Sequence, residues 1–199
     1  MREIVAATRN KDKVREIRKI LKGLNVRILN LDNLKNIPKI VENGKTFEKN
    51  ASKKARVVSK YTHKLTIADD SGLEVDALKG KPGIKSARFA GRAANYDKNN
   101  AKLLKALKKI PSSGRKARFV CVISIAKDGK VLKVVKGNCR GRIAFEPRGR
   151  TGFGYDPLFV SPKYGKTFAE LGPDIKNRIS HRYRALKKAK TALKRLLDF

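Results

Sequence analysis

Residues 3–31 read EIVAATRNKDKVREIRKILKGLNVRILNL, and this stretch decides the class of fold. The mostly apolar residues 3–8 predict a first strand, and Asn10 is a good N-cap for the residues that follow. Residues 11–22 carry apolar side chains at helical spacing, and residues 26–31 alternate as a second strand. A strand, a helix and a strand in succession indicate an α/β fold.

Strands and helices continue to alternate outward from this stretch, and then strands dominate the middle of the chain. Further helices are predicted at 46–61, 97–110 and 179–197, and further strands at 65–70, 119–126, 131–136, 142–145 and 158–160. Thr167 and Glu170 have the spacing of a capping box, and Asp128-Gly129 is a typical hairpin turn. We therefore predict one mixed-sheet α/β domain over residues 1–199.

Net charge is the most unusual property of the sequence, because 50 Lys and Arg against 17 Asp and Glu give +33 over 199 residues. Such a charge attracts polyanions and makes a nucleic-acid-binding protein one candidate. The lysines are spread along the whole chain, however, so a general drift toward lysine explains the charge as well. Both interpretations remain open at this point.

Cysteines, histidines and apolar runs exclude several classes of protein. Cys121 and Cys139 cannot form a disulfide framework, and neither they nor His63 and His181 have zinc-ligand spacing. A bound metal is therefore expected to be a hard cation held by carboxylates. No apolar run approaches the roughly 20 residues that span a bilayer, and the N-terminal apolar segment is too short for a secretory signal. We expect a cytoplasmic protein without a membrane partner.

The few acidic residues are unevenly placed. Asp69, Asp70, Glu74 and Asp76 fall within eight residues, around a Ser-Gly pair. They either pair with lysines or bind a cation. Successive strand residues point to opposite faces, so we expect one of Asp69 and Asp70 to bind metal or water and the other to support it. Glu42 offers a further carboxylate for a magnesium site.

Residues 8–13, Thr-Arg-Asn-Lys-Asp-Lys, turn from a strand end into a helix start. Free N–H groups and the helix dipole favour an anion at such a turn, and Thr8 and Lys13 add a hydroxyl and a cation. This segment is a candidate phosphate site. The alternative is an ordinary helix capped by Asn10.

Two later segments are candidates for contacts with a nucleotide base. Gly152-Phe-Gly-Tyr-Asp-Pro157 places a ring between glycines, where a ligand can approach the backbone and stack. Lys176, His181 and Arg182 lie at or before the last helix, and Arg182 can donate to a purine carbonyl. The alternatives are a core position for Phe153 and a solvated basic face on the helix.

Seven motifs in order carry a resemblance to a known family. They are Thr-x-Asn-x-x-Lys (8–13), Glu-x-Gly-x-Thr-Phe-x-x-Asn-Ala (42–51), Ala-Asp-Asp-Ser-Gly-Leu (68–73), Pro-Gly-x-x-Ser-Ala-Arg (82–88), Gly-Phe-Gly-Tyr-Asp-Pro (152–157), Thr-Phe-Ala-Glu-Leu (167–171) and Ser-His-Arg (180–182). From residue 4 to about 190 the chain closely resembles the inosine triphosphate pyrophosphatase family, in its bacterial-type dITP/XTP branch.

The resemblance implies an elongated α/β fold with two lobes around a central nucleotide-binding cleft. It also implies a homodimer that hydrolyses ITP, dITP and XTP to the monophosphate and pyrophosphate with Mg²⁺, and so cleanses the nucleotide pool. Glu42 and Asp70 would bind magnesium, and Asp70 would be the catalytic base for the attacking water. The substrate-binding residues implied are Thr8, Arg9, Asn10, Lys11, Asp12, Lys13, Ser71, Phe153, Gly154, Tyr155, Asp156, Lys176, His181 and Arg182.

Two other functions stay open. A basic nucleic-acid-binding protein explains the charge but not the pair Asp69-Asp70, because carboxylates repel phosphate unless a cation bridges them. On the enzyme hypothesis, nucleic acid binds only through non-specific electrostatic attraction. A related nucleotide pyrophosphohydrolase with another base preference is the second alternative, which a substrate panel separates.

Overall fold

A computed structural model describes residues 2–91, 93 and 95–197. The strands are β1 (Arg2–Ala6), β2 (Val26–Asn30), β3 (Leu65–Val75), β4 (Lys116–Lys127), β5 (Lys130–Ile143) and β6 (Phe159–Val160). The helices are α1 (Lys11–Leu21), α2 (Phe47–Thr62), α3 (Tyr96–Ala106), α4 (Phe168–Ile179) and α5 (His181–Leu197). Within these described residues, no helix is both long and apolar enough to cross a bilayer.

The six strands form one mixed sheet in the order β2-β1-β3-β4-β5-β6. β1 is parallel to both of its neighbours, with Ile4 opposite Ile28 on β2 and Leu65 on β3. β5 and β6 are antiparallel. The prediction of a mixed-sheet α/β fold is confirmed.

The chain divides into two compact units, of which the first comprises residues 2–70, 121–137 and 182–197. Its strands bury side chains on both faces, so that alternate residues enter separate cores. Ile4, Ile67 and Ile123 pack with α1 and α5, whereas Val5 and Ala68 pack with α2. This double burial explains why Ile4, Val5 and Ala6 at the end of β1 are consecutive apolar residues.

The second unit comprises residues 71–91, 93, 95–120 and 138–181. Its core contains Leu73, Leu103 and Leu107 together with three phenylalanine rings. The ring centroid of Phe119 lies 4.5 Å from that of Phe159, and the centroid of Phe159 lies 4.9 Å from that of Phe168. Aromatic side chains bury much apolar area, so this cluster contributes strongly to the apolar stabilisation of the unit.

Local signals in the sequence located most element ends. Asn10 and Thr46 cap α1 and α2 as predicted, and Thr167 and Glu170 form the predicted capping box of α4. The hairpin turn is also confirmed, since both Asp128 and Gly129 have positive φ. Positive φ at both central residues gives the two-residue turn the twist of the strands beside it.

Several predicted boundaries were wrong. β3 does not end at Asp70 but continues to Val75, because Leu73 and Val75 alternate into the second core. The separate strand predicted at 142–145 is the end of the long strand β5. The last helix begins at His181 rather than at residue 179, because the preceding Ser180 is extended.

Candidate active site

The turn from β1 into α1 is held by its own side chains. The Oδ1 atom of Asn10 accepts hydrogen bonds from the backbone N–H groups of Asp12 (3.0 Å) and Lys13 (3.1 Å). The hydroxyl of Thr8 accepts one from the N–H of Asn10 at 3.1 Å. The expectation of free N–H groups is therefore corrected for Asp12 and Lys13, whose N–H groups the cap already uses. The Thr8 hydroxyl can still donate to an anion.

The side chains of residues 9–13 separate into two groups. Arg9 pairs with Asp32 at 3.2 Å and Asp12 pairs with Arg15 at 3.3 Å, both at the surface, and Lys11 is exposed. Lys13 instead turns inward, where it meets a buried carboxylate. Of the basic residues predicted to contact phosphate, Arg9 and Lys11 therefore lie at the surface, whereas Lys13 is held by a buried carboxylate.

A buried charge network surrounds Asp69. Its Oδ2 atom lies 3.1 Å from Lys13 Nζ and accepts hydrogen bonds from Arg182 Nε and Nη2, each at 3.3 Å. Arg182 Nη1 donates to Glu16 Oε2 at 2.5 Å. Burial alone would raise the pKa of Asp69, but the charges of Lys13 and Arg182 outweigh it and hold the pKa well below its usual range.

Arg182 lies deeper than the sequence indicated. Its side chain is 3% exposed, and burial by itself would lower its pKa, but the two carboxylates raise the pKa above its usual value. The guanidinium is therefore a fixed positive charge bonded to Asp69 and Glu16. Glu16 was not identified as a site residue from the sequence. The only indication was that an acidic residue, which is rare in this chain, lies directly before Ile17 on the apolar stripe of α1.

Asp70 points away from this network, as the alternation of a strand requires. Its Oδ2 atom accepts a hydrogen bond from Asn50 Nδ2 at 3.0 Å, and Asn50 Oδ1 accepts one from the N–H of Gly44 at 2.7 Å. Asn50 thereby ties Asp70 to the loop that carries Glu42. Gly44 is required in this loop, because a Cβ atom there would lie 2.6 Å from Asn50 Oδ1.

Glu42 and Asp70 form an acidic pair in the first unit. Glu42 Oε1 lies 3.0 Å from Nζ of Lys54, which is buried. Burial is the main cause that raises the pKa of Asp70, and the charge of Glu42 raises it further, while Asn50 and Lys54 lower it. Asn50 and Lys54 lie on the buried stripe of α2, a polar interruption that sequence reasoning left without a role.

The carboxylate oxygens of Asp70 and Glu42 are ligand atoms that suit a hard cation. Its Oδ1 atom has no hydrogen-bond donor among the residues that the structure describes. Within the same residues, no group of three or more His, Cys, Asp or Glu side chains could hold a metal. One or two carboxylates with waters and phosphate oxygens are the usual ligands of magnesium at nucleotide sites. Asp70 and Glu42 therefore offer carboxylate oxygens of the kind that a hard cation binds together with waters and phosphate oxygens.

In the second unit, Asp156 shapes the glycine-rich segment. Its Oδ2 atom accepts hydrogen bonds from the N–H of Phe153 at 2.8 Å and from Lys176 Nζ at 2.6 Å. A Cβ atom on Gly152 would lie 2.2 Å from the same oxygen, and φ there is +81°. Only glycine fits at this position. The amide of Asn100 fixes the other side by donating to the carbonyl oxygen of Gly154 at 3.0 Å.

This arrangement leaves Phe153 half-buried, with Nζ of Lys176 4.2 Å from its ring centroid. A cation at that distance is attracted to the face of the ring. Tyr155 is instead a core residue, whose hydroxyl donates to the carbonyl oxygen of Ser86 at 2.9 Å and whose pKa is raised by burial. The face of Phe153 is thus the part of this segment best suited to contact a base.

The remaining predicted residues are placed as follows. His181 is 4% exposed, and its ring stacks on Phe119 with 4.5 Å between centroids. Ser71 is half-buried within β3. The structure brings Thr8, Asn10, Lys13, Glu42, Asp70 and Arg182 into the first unit, and Ser71, Phe153, Gly154, Tyr155, Asp156, Lys176 and His181 into the second.

Comparison with known proteins identifies the family of the chain. A profile of the Ham1 family matches residues 4–192. A dITP/XTP pyrophosphatase of Desulforamulus reducens is 48% identical over 194 residues, which cover 98% of this chain and 96% of that protein. The corresponding protein of Lactobacillus acidophilus is 51% identical over 184 residues, which cover 90% and 91%.

Comparison of the fold with solved structures identifies the same family. The structure of a HAM1 protein from Coxiella burnetii superposes with a TM-score of 0.88 at 41% identity, covering 98% of this chain and all of that one. The resemblance inferred from the seven motifs is confirmed. A match in sequence and in fold over nearly the whole chain shows that the protein belongs to the Ham1 family.

Proposed function

We propose that the protein hydrolyses non-standard purine nucleoside triphosphates, ITP, dITP and XTP, to the monophosphate and pyrophosphate, and so cleanses the nucleotide pool. The observation that carries this proposal is the state of Asp70. It is a buried carboxylate of raised pKa, with one oxygen fixed by Asn50 and the other without a donor among the residues that the structure describes. Relatives of 48% and 51% identity named dITP/XTP pyrophosphatase support the substrate class.

Asp70 is proposed as the base that orients and deprotonates the attacking water. A carboxylate whose pKa is raised is a better proton acceptor at neutral pH than an exposed one. Asn50 holds one oxygen, so the other is directed consistently toward the water. Asp69 lies on the opposite face of β3 and is proposed to have a structural role. Its carboxylate is already paired with Lys13 and Arg182.

Glu42 and Asp70 are proposed to hold Mg²⁺. When bound, the ion neutralises phosphate charge and polarises the phosphoryl group. Burial is the main cause of the raised pKa of Asp70, and a cation offsets the smaller contribution from repulsion by Glu42. Thr8 and the helix start at residues 9–13 are proposed to bind the phosphates through a hydroxyl donor, the N-terminal dipole and the basic side chains.

Base recognition is proposed to rest on Phe153 and Lys176. The face of the ring stacks on the purine, and the Lys176 ammonium beside it donates to a carbonyl oxygen. Hypoxanthine and xanthine carry a carbonyl at C6 where adenine carries an amine, so a donor here disfavours ATP. His181 and Arg182 are proposed to complete recognition from buried positions, with Arg182 fixed by Glu16 and Asp69.

The test is pyrophosphate release from ITP, XTP, GTP and ATP, with Mg²⁺ or with EDTA. We expect release from ITP and XTP with Mg²⁺, much less from GTP and ATP, and almost none with EDTA. Asp70→Asn is expected to abolish release. Asp76→Asn is the matched control, since it removes an exposed carboxylate of the same acidic segment and is expected to retain activity.

Each outcome has a defined meaning. Release by wild type that Asp70→Asn retains would contradict the role of Asp70. A different preferred base would indicate a related pyrophosphohydrolase, and no release from any substrate would contradict the hydrolase proposal. We further propose that the protein is a homodimer in the cytoplasm. The resemblance supports the dimer, and a molar mass of one chain in sedimentation equilibrium would contradict it.

A further inference from the structure

The outer face of α2 carries a row of basic residues that the proposed hydrolysis does not use. Lys49, Lys53, Arg56 and Lys60 are all exposed, and their spacing of four, three and four residues places them on one side of the helix. The opposite side of α2 carries the buried Asn50 and Lys54 of the candidate active site. One helix therefore presents two chemically different faces.

These four residues line a groove of about 560 Å³ together with Ser52, Val57 and Gly129. No acidic side chain lines it, and none of the four forms an ion pair within the part of the chain that the structure describes. Lys53 Nζ donates only to the neutral Oδ1 atom of Asn43 at 2.9 Å. The positive charge of the groove is thus not neutralised by any acidic residue that the structure describes.

The groove is fixed by the β4–β5 turn. Arg56 Nε donates to the carbonyl oxygen of Gly129 at 3.3 Å, and the N–H of Gly129 donates to Ser59 Oγ at 3.1 Å. A Cβ atom on Gly129 would lie 3.3 Å from Cβ of Lys60, so the turn packs directly against the stem of that lysine. The basic row is therefore held in a formed concave surface, which lowers the cost of ordering it on binding.

We propose that this groove, the α2 groove, binds the phosphodiester backbone of a nucleic acid without sequence preference. From Lys49 to Lys60 the helix rises about 16 Å, and the same length of duplex carries roughly ten phosphate charges. No aromatic side chain lines the groove to stack on bases, so contacts are made to phosphates. This locates on one surface the polyanion binding that the net charge of +33 allows.

The experiment measures the salt dependence of binding by fluorescence anisotropy. The probes are a 20-base-pair DNA duplex and a 20-nucleotide single-stranded RNA, and the tighter of the two identifies the form preferred. The α2 variant combines Lys49→Gln, Lys53→Gln, Arg56→Gln and Lys60→Gln. The control combines Lys187→Gln, Lys188→Gln, Lys194→Gln and Arg195→Gln. These substitutions remove an equal number of positive charges, four, from exposed positions of α5.

Each phosphate contact steepens the slope of log Kobs against log salt by about 0.9 for duplex DNA and about 0.7 for a single strand. If all four residues contact phosphate, the α2 variant flattens the slope by about 3.6 or 2.8, respectively. The control is expected to flatten it by less than half as much. Equal flattening by both variants would show that the charge acts diffusely and would overturn the proposal.

Two further readouts keep the result interpretable. Pyrophosphate release by the α2 variant is expected to equal that of wild type, which shows that α2 is intact, and the nucleic-acid measurement does not depend on the hydrolase proposal. Binding to vesicles rich in phosphatidylglycerol, with no binding to either nucleic acid, would assign the groove to a membrane surface and would also overturn the proposal.

Discussion

Replacing Asp69 by asparagine removes one negative charge from the most deeply buried ion network in the first unit. The Oδ2 atom of Asp69 meets Lys13 Nζ at 3.1 Å and two N–H groups of Arg182 at 3.3 Å. The side chains of Asp69 and Arg182 are 2% and 3% exposed, so water cannot take over these contacts. Asparagine has nearly the same shape, and the substitution therefore tests charge rather than packing.

The expected loss follows from the partners that remain. Removing one member of a buried ion pair costs about 3–5 kcal/mol, because the other charge stays buried without compensation. Glu16 continues to neutralise Arg182, so we expect the lower end, about 3 kcal/mol of the free energy of unfolding. Because domains are stable by only about 5–15 kcal/mol, such a loss is a large fraction of the total.

Asp70→Asn is the matched control at the neighbouring position. The pKa of Asp70 is raised, so its ionised form is less favourable in the folded than in the unfolded protein. Removing that charge is expected to leave the free energy of unfolding at pH 7 unchanged or higher, while abolishing pyrophosphate release. Adjacent residues on opposite faces of β3 are thus expected to separate stability from activity.

The assay is urea unfolding followed by circular dichroism, with wild type and both variants measured at pH 7. A lower midpoint at constant slope m reports lost stability rather than a changed unfolded state. The reasoning is refuted if Asp69→Asn changes the free energy of unfolding by less than about 0.5 kcal/mol, the range of ordinary surface substitutions. Equal destabilisation by Asp70→Asn would refute it as well.

Three further predictions concern pH, the second core and the base platform. Because the pKa of Asp69 is lowered in the folded protein, its stabilisation is complete above the unfolded-state value of about 3.9 and is lost only as pH falls through the much lower folded value. The difference in urea midpoint between wild type and Asp69→Asn should therefore be equal at pH 7 and 5 and still be present at pH 3.5, and its disappearance between pH 7 and 5 would contradict this. Arg115→Leu leaves three backbone carbonyls without their donor, at about 1–3 kcal/mol each if buried, so thermal unfolding should shift down by many degrees whereas exposed Lys116→Leu should not. Phe153→Leu removes a stacking surface worth about 1–3 kcal/mol per base, so KM for ITP should rise about tenfold or more with kcat little changed; an unchanged KM would contradict the platform.

The sequence was most informative where a local rule applies. The capping residues Asn10, Thr46 and Thr167 and the Asp128-Gly129 turn act on their own neighbours, and each was predicted correctly. The seven ordered motifs likewise identified the family without any coordinates. Both kinds of signal are carried by residue types at short, fixed spacing.

Burial of charged residues could not be predicted from the same patterns. Lys54 and Glu16 look like solvated helix residues in sequence, yet each is buried beside a carboxylate or guanidinium contributed by a distant segment. The continuation of β3 was hidden because Asp69, Asp70, Ser71 and Gly72 resemble a turn. Such features depend on tertiary contacts, and periodicity within one element carries no information about them.

We propose that water, oriented by Asp70, attacks the α-phosphorus of the nucleotide. Hydrolysis of ITP in water enriched in oxygen-18, with Mg²⁺, tests this claim most directly when the products are analysed by mass spectrometry. We expect one oxygen-18 atom in inosine monophosphate and none in pyrophosphate. Label in pyrophosphate, or release of orthophosphate with inosine diphosphate, would place the attack at another phosphorus and contradict attack at the α-phosphorus.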